Sequence, residues 1–187
     1  NDDGVINFDA AAATVSVGQI GAITLDDILS VTLVGNAGVT LDGDITTSAT
    51  AAGNQVSVTG TATITADRII NTSDGNGAID LDDVTGDTPG TGRDLTLDAG
   101  TGIVTAQTIG TAAGTDAINA TTITGTMINL NGSIFTGEDG AGNDGNVDIN
   151  GAVILGAATV TIDTSDANGG DAGTVDFSST IDSDGTS

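Results

Sequence analysis

Gly145-Asn146-Val147-Asp148-Ile149-Asn150 is the stretch of this sequence that decides the fold. Two apolar residues stand two positions apart after a glycine, and polar residues fill the positions around them. Because residues i and i+2 of a β-strand lie on one face, the stretch predicts a strand with an apolar inner face and a polar outer face. The arrangement recurs at Gly4–Asp9, Gly77–Asp82 and Gly173–Ser178, and without the glycine at Ile128–Asn131.

Recurrence of one strand-like unit indicates a chain that winds into similar stacked coils. A relaxed pattern, with a further apolar residue four positions later, recurs at intervals of about 16 to 28 residues, and extra Gly, Asp and Asn occupy the longer intervals. Loops accept such insertions more readily than strands. The sequence therefore predicts an all-β fold, a parallel β-helix (solenoid) of about 9–10 coils with roughly 16–28 residues each. An antiparallel β-sandwich extender is the alternative.

The same pattern extends along most of the sequence, so we expect a single β-solenoid domain over residues 1–187. Open ends of a solenoid present unpaired strands that need caps or neighbours, and neither end of this sequence contains an evident cap. We therefore expect a fragment, or a subunit, of a larger assembly. End-to-end self-association, or continuation into flanking repeats of the same chain, would cover the ends.

The charge of the chain is strongly one-sided. Acidic residues number 26 against two basic ones, Arg68 and Arg93, and the formal net charge is −24. Such a field repels nucleic acids and anionic lipids and attracts cations. We therefore expect divalent cations as partners and no nucleic acid. Membrane insertion is not expected either, because no apolar run approaches the length of a membrane span.

Most side chains that carry catalysis are missing. The chain has no His, Cys or Lys to act as a general base or activated nucleophile, and no Trp or Tyr on which a sugar would stack. Arg68 and Arg93 are about one predicted coil apart. They either face each other across an acidic cleft, as a carbohydrate-active enzyme requires, or pair with the adjacent Asp67 and Asp94. We expect no enzyme activity.

Three loops rich in Asp, Asn and Gly are candidates for calcium binding: Asp74–Asp83, Glu138–Asp148 and Asp163–Asp176. Hard cations bind several oxygens at short range, and glycine permits the sharp turns that bring these oxygens together. Asp and Asn are also common turn formers, so plain turns are the alternative. The predicted Ca²⁺ ligands are Asp74, Asn76, Asp80, Asp82, Asp139, Asn143, Asp144, Asp148, Asp166, Asp171 and Asp176.

Alternating threonines raise the question of ice binding, because a flat solenoid face can align Thr hydroxyls into ladders. The alternation occurs at Thr61/Thr63/Thr65, Thr122/Thr124/Thr126 and Thr159/Thr161. With the coil spacing inferred above, the other coils do not repeat these residues at one offset. The spacing therefore disfavours an ice-binding function.

Asp94–Gly102 and Gly145–Gly151 resemble the repeats of filamentous-haemagglutinin-like proteins, which are very large bacterial surface and secreted adhesins. The resemblance is diffuse: it extends over most of the chain as a general sequence pattern and does not rest on one strict motif. It implies a right-handed parallel β-helix and export to the cell surface or the extracellular space. We therefore expect a non-catalytic structural protein, the stalk segment of an adhesin or the subunit of a fibre. A calcium-dependent adhesive or glycan-binding module is the alternative.

Overall fold

A computed structural model of the chain describes residues 4–21, 28–47, 55–88, 91–111, 118–137, 145–165 and 172–183. These residues form β-strands and no helix. The strands are β1 (Gly4–Ala10), β2 (Val15–Val17), β3 (Ile28–Gly35), β4 (Val39–Leu41), β5 (Ile45–Thr46), β6 (Gln55–Thr59), β7 (Ala62–Ile64), β8 (Arg68–Asn71), β9 (Ala78–Leu81), β10 (Val84–Gly86), β11 (Arg93–Asp98), β12 (Ile103–Ala106), β13 (Ile118–Leu130), β14 (Ile134–Phe135), β15 (Val147–Leu155), β16 (Ile162–Asp163), β17 (Val175–Phe177) and β18 (Ile181–Ser183).

The strands stack into a parallel β-solenoid of about 6 turns with three walls, which the chain visits in the order 1, 2, 3. Wall 1 contains β1, β3, β6, β9, β12, the second halves of β13 and β15, and β18. Wall 2 contains β2, β4, β7, β10, the single rung Ile109, β14 and β16. Wall 3 contains the single rung Ile20, β5, β8, β11, the first halves of β13 and β15, and β17.

Inward-facing aliphatic side chains form columns along the solenoid axis. The wall 1 column runs through Ile6, Val31, Val56, Ile79, Val104, Ile128, Val153 and Ile181. Its members from Val31 to Val153 are completely buried. β-Branched residues pack well on a pleated, half-buried surface, so the strand preference of this sequence and its core agree.

The predicted parallel winding is confirmed, because every described strand pair is parallel, and the antiparallel sandwich is wrong. The predicted number of 9–10 coils is also wrong. In-register residues are separated by between 22 residues, from Ala62 to Val84, and 28 residues, from Val147 to Val175. The repeated sequence signature occurs on more than one wall, so two signatures about 17 residues apart belong to neighbouring walls of one turn and not to successive turns.

Walls 3 and 1 merge near the C-terminal end, where β13 and β15 each run through the corner as one strand. Gly125 and Gly151 stack at this corner. A Cβ on Gly151 would press on the carbonyl oxygen of Gly125, so the close approach of the two turns requires glycine there.

The two ends of the solenoid expose large apolar side chains. Val5 is 63% exposed and Phe8 is 49% exposed on β1, and Ile181 is 50% exposed on β18. Phe8 and Phe177 both occupy inward positions at the ends, in register with Leu33 and Ile149, but they lie on different walls. The apolar columns therefore reach both ends of the described rod.

Candidate functional site

The structure describes six of the predicted calcium ligands and brings only two of them together. Asp148 and Asp176 are register partners on the outer face of wall 3. Asp80 lies on wall 1, in register with Ser57 and Thr105. Asp74 and Asn76 lie in the turn between β8 and β9, and Asp82 directly follows β9. The remaining predicted ligands, Asp139, Asn143, Asp144, Asp166 and Asp171, lie outside the described residues.

The carboxylates and amides in the described loops bind backbone groups. A carboxylate oxygen of Asp82 accepts a hydrogen bond of 2.7 Å from the Gly60 amide, and Asn76 Oδ1 accepts one of 2.9 Å from the Thr101 amide. No group of three or more His, Cys, Asp or Glu side chains in the described ranges is arranged to hold a metal ion. The predicted calcium site is therefore not assembled by these six residues alone.

A recurrent role of Asp and Asn is to tie neighbouring turns together. The side chain of Asp67 accepts from the Asp94 amide at 3.0 Å, and that of Asp94 accepts from the Ala120 amide at 3.2 Å. The side chain of Asn146 accepts from the Thr174 amide at 2.9 Å. Short polar side chains reach a nearby amide with little loss of rotamer freedom, so the abundance of Asp serves the stacking of turns.

Buried threonines close the loops that the sequence singled out. The hydroxyl of Thr72 donates to the Gly77 carbonyl at 2.7 Å, that of Thr136 to the Gly145 carbonyl at 2.8 Å, and that of Thr164 to the Gly173 carbonyl at 3.0 Å. We call these three pairs the loop clasps. The glycines are those that begin the repeated signature, so the signature marks the residue at which a loop returns to the wall.

Both basic residues lie where wall 2 meets wall 3, on neighbouring turns. Arg93 donates through Nε and Nη2 to one carboxylate oxygen of Asp87, at 3.1 and 2.9 Å. Arg68 donates to the carbonyl oxygens of Leu41 and Asp67, at 2.9 and 2.7 Å, and to the Thr65 hydroxyl at 3.0 Å. The predicted partner Asp67 is therefore contacted through its main chain, and the expected pairing of Arg93 with Asp94 is replaced by one with Asp87.

Two aspartates at this corner have pKa values below the ordinary range. The hydroxyl of Ser16, at 2.7 Å, and then that of Thr65, at 3.0 Å, lower the pKa of Asp42 by hydrogen bonding to its carboxylate. Desolvation raises the pKa of Asp87, but the hydrogen bonds and charge of Arg93 outweigh it and lower the value. Both carboxylates are therefore held in their charged form, in structural contacts.

Acid is expected to weaken the contact between Asp87 and Arg93. A carboxyl whose pKa is lower when folded than when unfolded stabilises the fold above the unfolded pKa, about 3.9 for Asp, and this contribution is lost as the pH falls through the folded value. Urea denaturation of the wild type and of Asp87→Asn should therefore differ near neutral pH, and this difference should disappear as the pH falls through the lowered folded pKa of Asp87. Asp74→Asn, which removes the same charge from an exposed turn, is the control. A difference between wild type and Asp87→Asn that does not change with pH would contradict this assignment.

Wall 2 carries a ladder of hydroxyl groups that sequence reasoning missed. Ser16, Thr40, Thr63 and Thr85 are in register on successive turns, with their side chains between inward-facing residues. The sequence analysis concluded that the other coils do not repeat Thr63 at an equivalent position, and this is wrong. The equivalent residues are separated by the length of a true turn, which is longer than the predicted coil. Thr122 and Thr124 form no such ladder, since Asp148 and Asn150 are their partners on the next turn.

Comparison with known proteins gives no match: no protein-family model fits the chain, and no curated protein or solved structure is significantly similar to it. The β-solenoid is therefore established by the structure, and the resemblance to adhesin repeats is not supported by a relative. Within the described ranges there is also no helix of the length and apolarity that crossing a membrane requires.

Proposed function

We propose that this chain is a non-catalytic structural rod of the cell surface or extracellular space, either the stalk segment of an adhesin or the subunit of a fibre that stacks end to end. The observation that carries the proposal is the run of parallel strands with apolar columns that reach both ends of the rod. Parallel ladders place backbone hydrogen bonds along the axis, so a pulling force is shared among the three walls. About 6 turns give a described rod roughly 30 Å long.

The charge distribution favours contact at the ends over contact along the sides. A net charge of −24 makes the long outer faces repel each other, and the repulsion falls with added salt. The exposed apolar residues Phe8 and Ile181 lie on the end strands, where a further strand would continue the sheet. Association should therefore lengthen the rod without thickening it.

Sedimentation velocity and negative-stain microscopy test this proposal at rising protein concentration and at two salt concentrations. We expect rods of constant width whose length increases with concentration and with salt. Phe8→Asp should suppress this growth, whereas Ile103→Asp, which charges a similarly exposed residue on the side of wall 1, should leave it intact. Globular aggregates, or equal effects of the two substitutions, would contradict end-to-end stacking.

Calcium binding by the Asp/Gly loops stays a prediction, and with it the alternative of a calcium-dependent adhesive module. The same experiment is repeated with EDTA at constant ionic strength. This comparison distinguishes the effect of specifically bound calcium from the general screening of charge by salt. Growth that requires calcium would favour the alternative.

The hydroxyl ladder on wall 2 favours one second candidate, binding to ice. Rungs about 4.8 Å apart place Thr40, Thr63 and Thr85 in register along wall 2, and β-branched side chains are stiff at χ1. Inhibition of ice recrystallisation tests this candidate. Thr63→Glu should abolish the inhibition, while Thr32→Glu on the outer face of wall 1 should retain it. A wild-type protein without inhibition would exclude the candidate.

A further inference from the structure

The outer face of wall 1 contains an uncharged strip that spans three successive rungs. Its residues are Ile103 and Thr105 on β12, Met127 and Asn129 on β13, and Ala152 and Ile154 on β15. Their side chains point away from the core, because the buried residues Val104, Ile128 and Val153 alternate with them along the three strands. We call these six residues the neutral strip.

The neutral strip interrupts an acidic surface. In the column of Thr105 and Ile154, the neighbouring rungs carry Asp80 on one side and Asp182 on the other. The overall field of the chain, with its net charge of −24, repels anionic polymers, and cationic partners are attracted to the aspartates of the other faces. An uncharged ligand is not repelled, and at the strip it binds without removing water from a carboxylate. The charges therefore favour a neutral ligand.

The strip combines an apolar row with a row that forms hydrogen bonds. Ile103, Met127 and Ala152 are register partners along the axis, and the side chain of Ile103 is 41% exposed. In the parallel row, Asn129 Nδ2 donates to Thr105 Oγ1 at 3.2 Å. This bond leaves the hydroxyl proton of Thr105 and the side-chain oxygen of Asn129 for a ligand.

The size of the strip decides between classes of ligand. Three rungs about 4.8 Å apart and four residues wide cover roughly 200 Å². A stable protein interface covers about 800 Å² on each partner, so the strip alone is too small to hold a second copy or another folded protein. The two rows repeat at every rung, so a linear polymer that lies along the axis meets them at regular intervals.

We propose that the neutral strip binds an uncharged linear polysaccharide that lies along the solenoid axis. The sugar hydroxyls form hydrogen bonds with Thr105 and Asn129, and the C–H faces of the sugar rings pack on Ile103 and Met127. Aliphatic side chains offer less contact area than the aromatic rings that the chain lacks, so one strip binds weakly. The proposal does not depend on end-to-end stacking, although a fibre would present many strips to one polymer and so increase the avidity.

Native electrophoresis through gels that contain a dissolved polysaccharide tests this proposal, because binding lowers the mobility of the protein relative to a plain gel. The probes are hydroxyethyl cellulose, dextran and galactomannan, all of them uncharged. We expect at least one probe to lower the mobility of the wild type, and Ile103→Asp to abolish this shift. Asn129→Ala, which adds no charge, should reduce the shift.

Ile69→Asp is the matched control. Ile69 is 44% exposed on the outer face of wall 3, so the variant has the same charge as Ile103→Asp and an intact strip. Its shift should equal that of the wild type, and EDTA should change neither. Equal shifts for the two aspartate variants, no shift with any of the three probes, or a shift that disappears in EDTA would overturn the proposal. Ile103→Asp is expected to retain end-to-end growth, so failure of the strip and failure of stacking are separate observations.

Discussion

Ile128→Ala is expected to lower the free energy of unfolding by about 2–5 kcal/mol. Ile128 is completely buried in the middle of the wall 1 column, between Val104 and Val153. The substitution removes apolar contacts and leaves a cavity that rungs held by backbone ladders on both sides cannot close. Urea denaturation followed by circular dichroism measures the loss.

Thr122→Ala is the matched control for this prediction, because Thr122 lies on the same strand with its side chain on the outer face. Its cost should stay below about 1 kcal/mol. Equal costs for the two substitutions would contradict the inward position of Ile128 and the outward position of Thr122, and with them the register of β13 against its neighbours.

A double-mutant cycle extends the test to the length of a turn. Val104→Ala and Ile128→Ala should show a coupling energy of about 0.5 kcal/mol or more, because their side chains are stacked in one column. Val39 lies on wall 2 of a distant turn, so the destabilisations caused by Val39→Ala and Ile128→Ala should be additive. Only a turn of about two dozen residues places Val104 and Ile128 side by side.

The strands and their parallel winding follow from local sequence, whereas the length of the turn does not. Val39/Leu41 and Val56/Val58 show the same alternation, since inward and outward positions alternate on every wall. The sequence interval between them therefore looks like one coil, yet Val39 lies on wall 2 and Val56 on wall 1. The turn length could have been predicted only from a sequence feature that recurs on one wall alone, because the alternation is common to all three walls.

The polar contacts were predictable in kind but not in partner. Turn formation by Asp and Asn was the alternative to calcium binding, but Asp67 and Asn146 accept hydrogen bonds from amides of the next turn, and these partners depend on the true turn length. Asp87 pairs with Arg93, and residue types alone do not specify this choice of partner over Asp94. The loop clasps were missed for another reason: in a chain so rich in threonine, Thr136 has no sequence feature that distinguishes it from an exposed neighbour.

The same substitution, Thr→Val, is expected to have opposite effects at Thr136 and Thr121. The Thr136 hydroxyl donates to the Gly145 carbonyl at 2.8 Å, so valine leaves a buried carbonyl without its partner and should destabilise the fold by about 1–3 kcal/mol. Thr121 is completely buried between Leu95 and Val147, and its hydroxyl has no hydrogen-bond partner in the structure as described. Valine there removes an unpaired polar group at nearly constant volume and should stabilise the fold by about 1 kcal/mol.

Thermal and urea unfolding of the two variants measure this difference in sign, and Thr136→Ser is the control that retains the hydroxyl at the clasp. Destabilisation by Thr121→Val would contradict this prediction. It would show that the Thr121 hydroxyl has a hydrogen-bond partner, such as a buried water, between the apolar side chains of Leu95 and Val147.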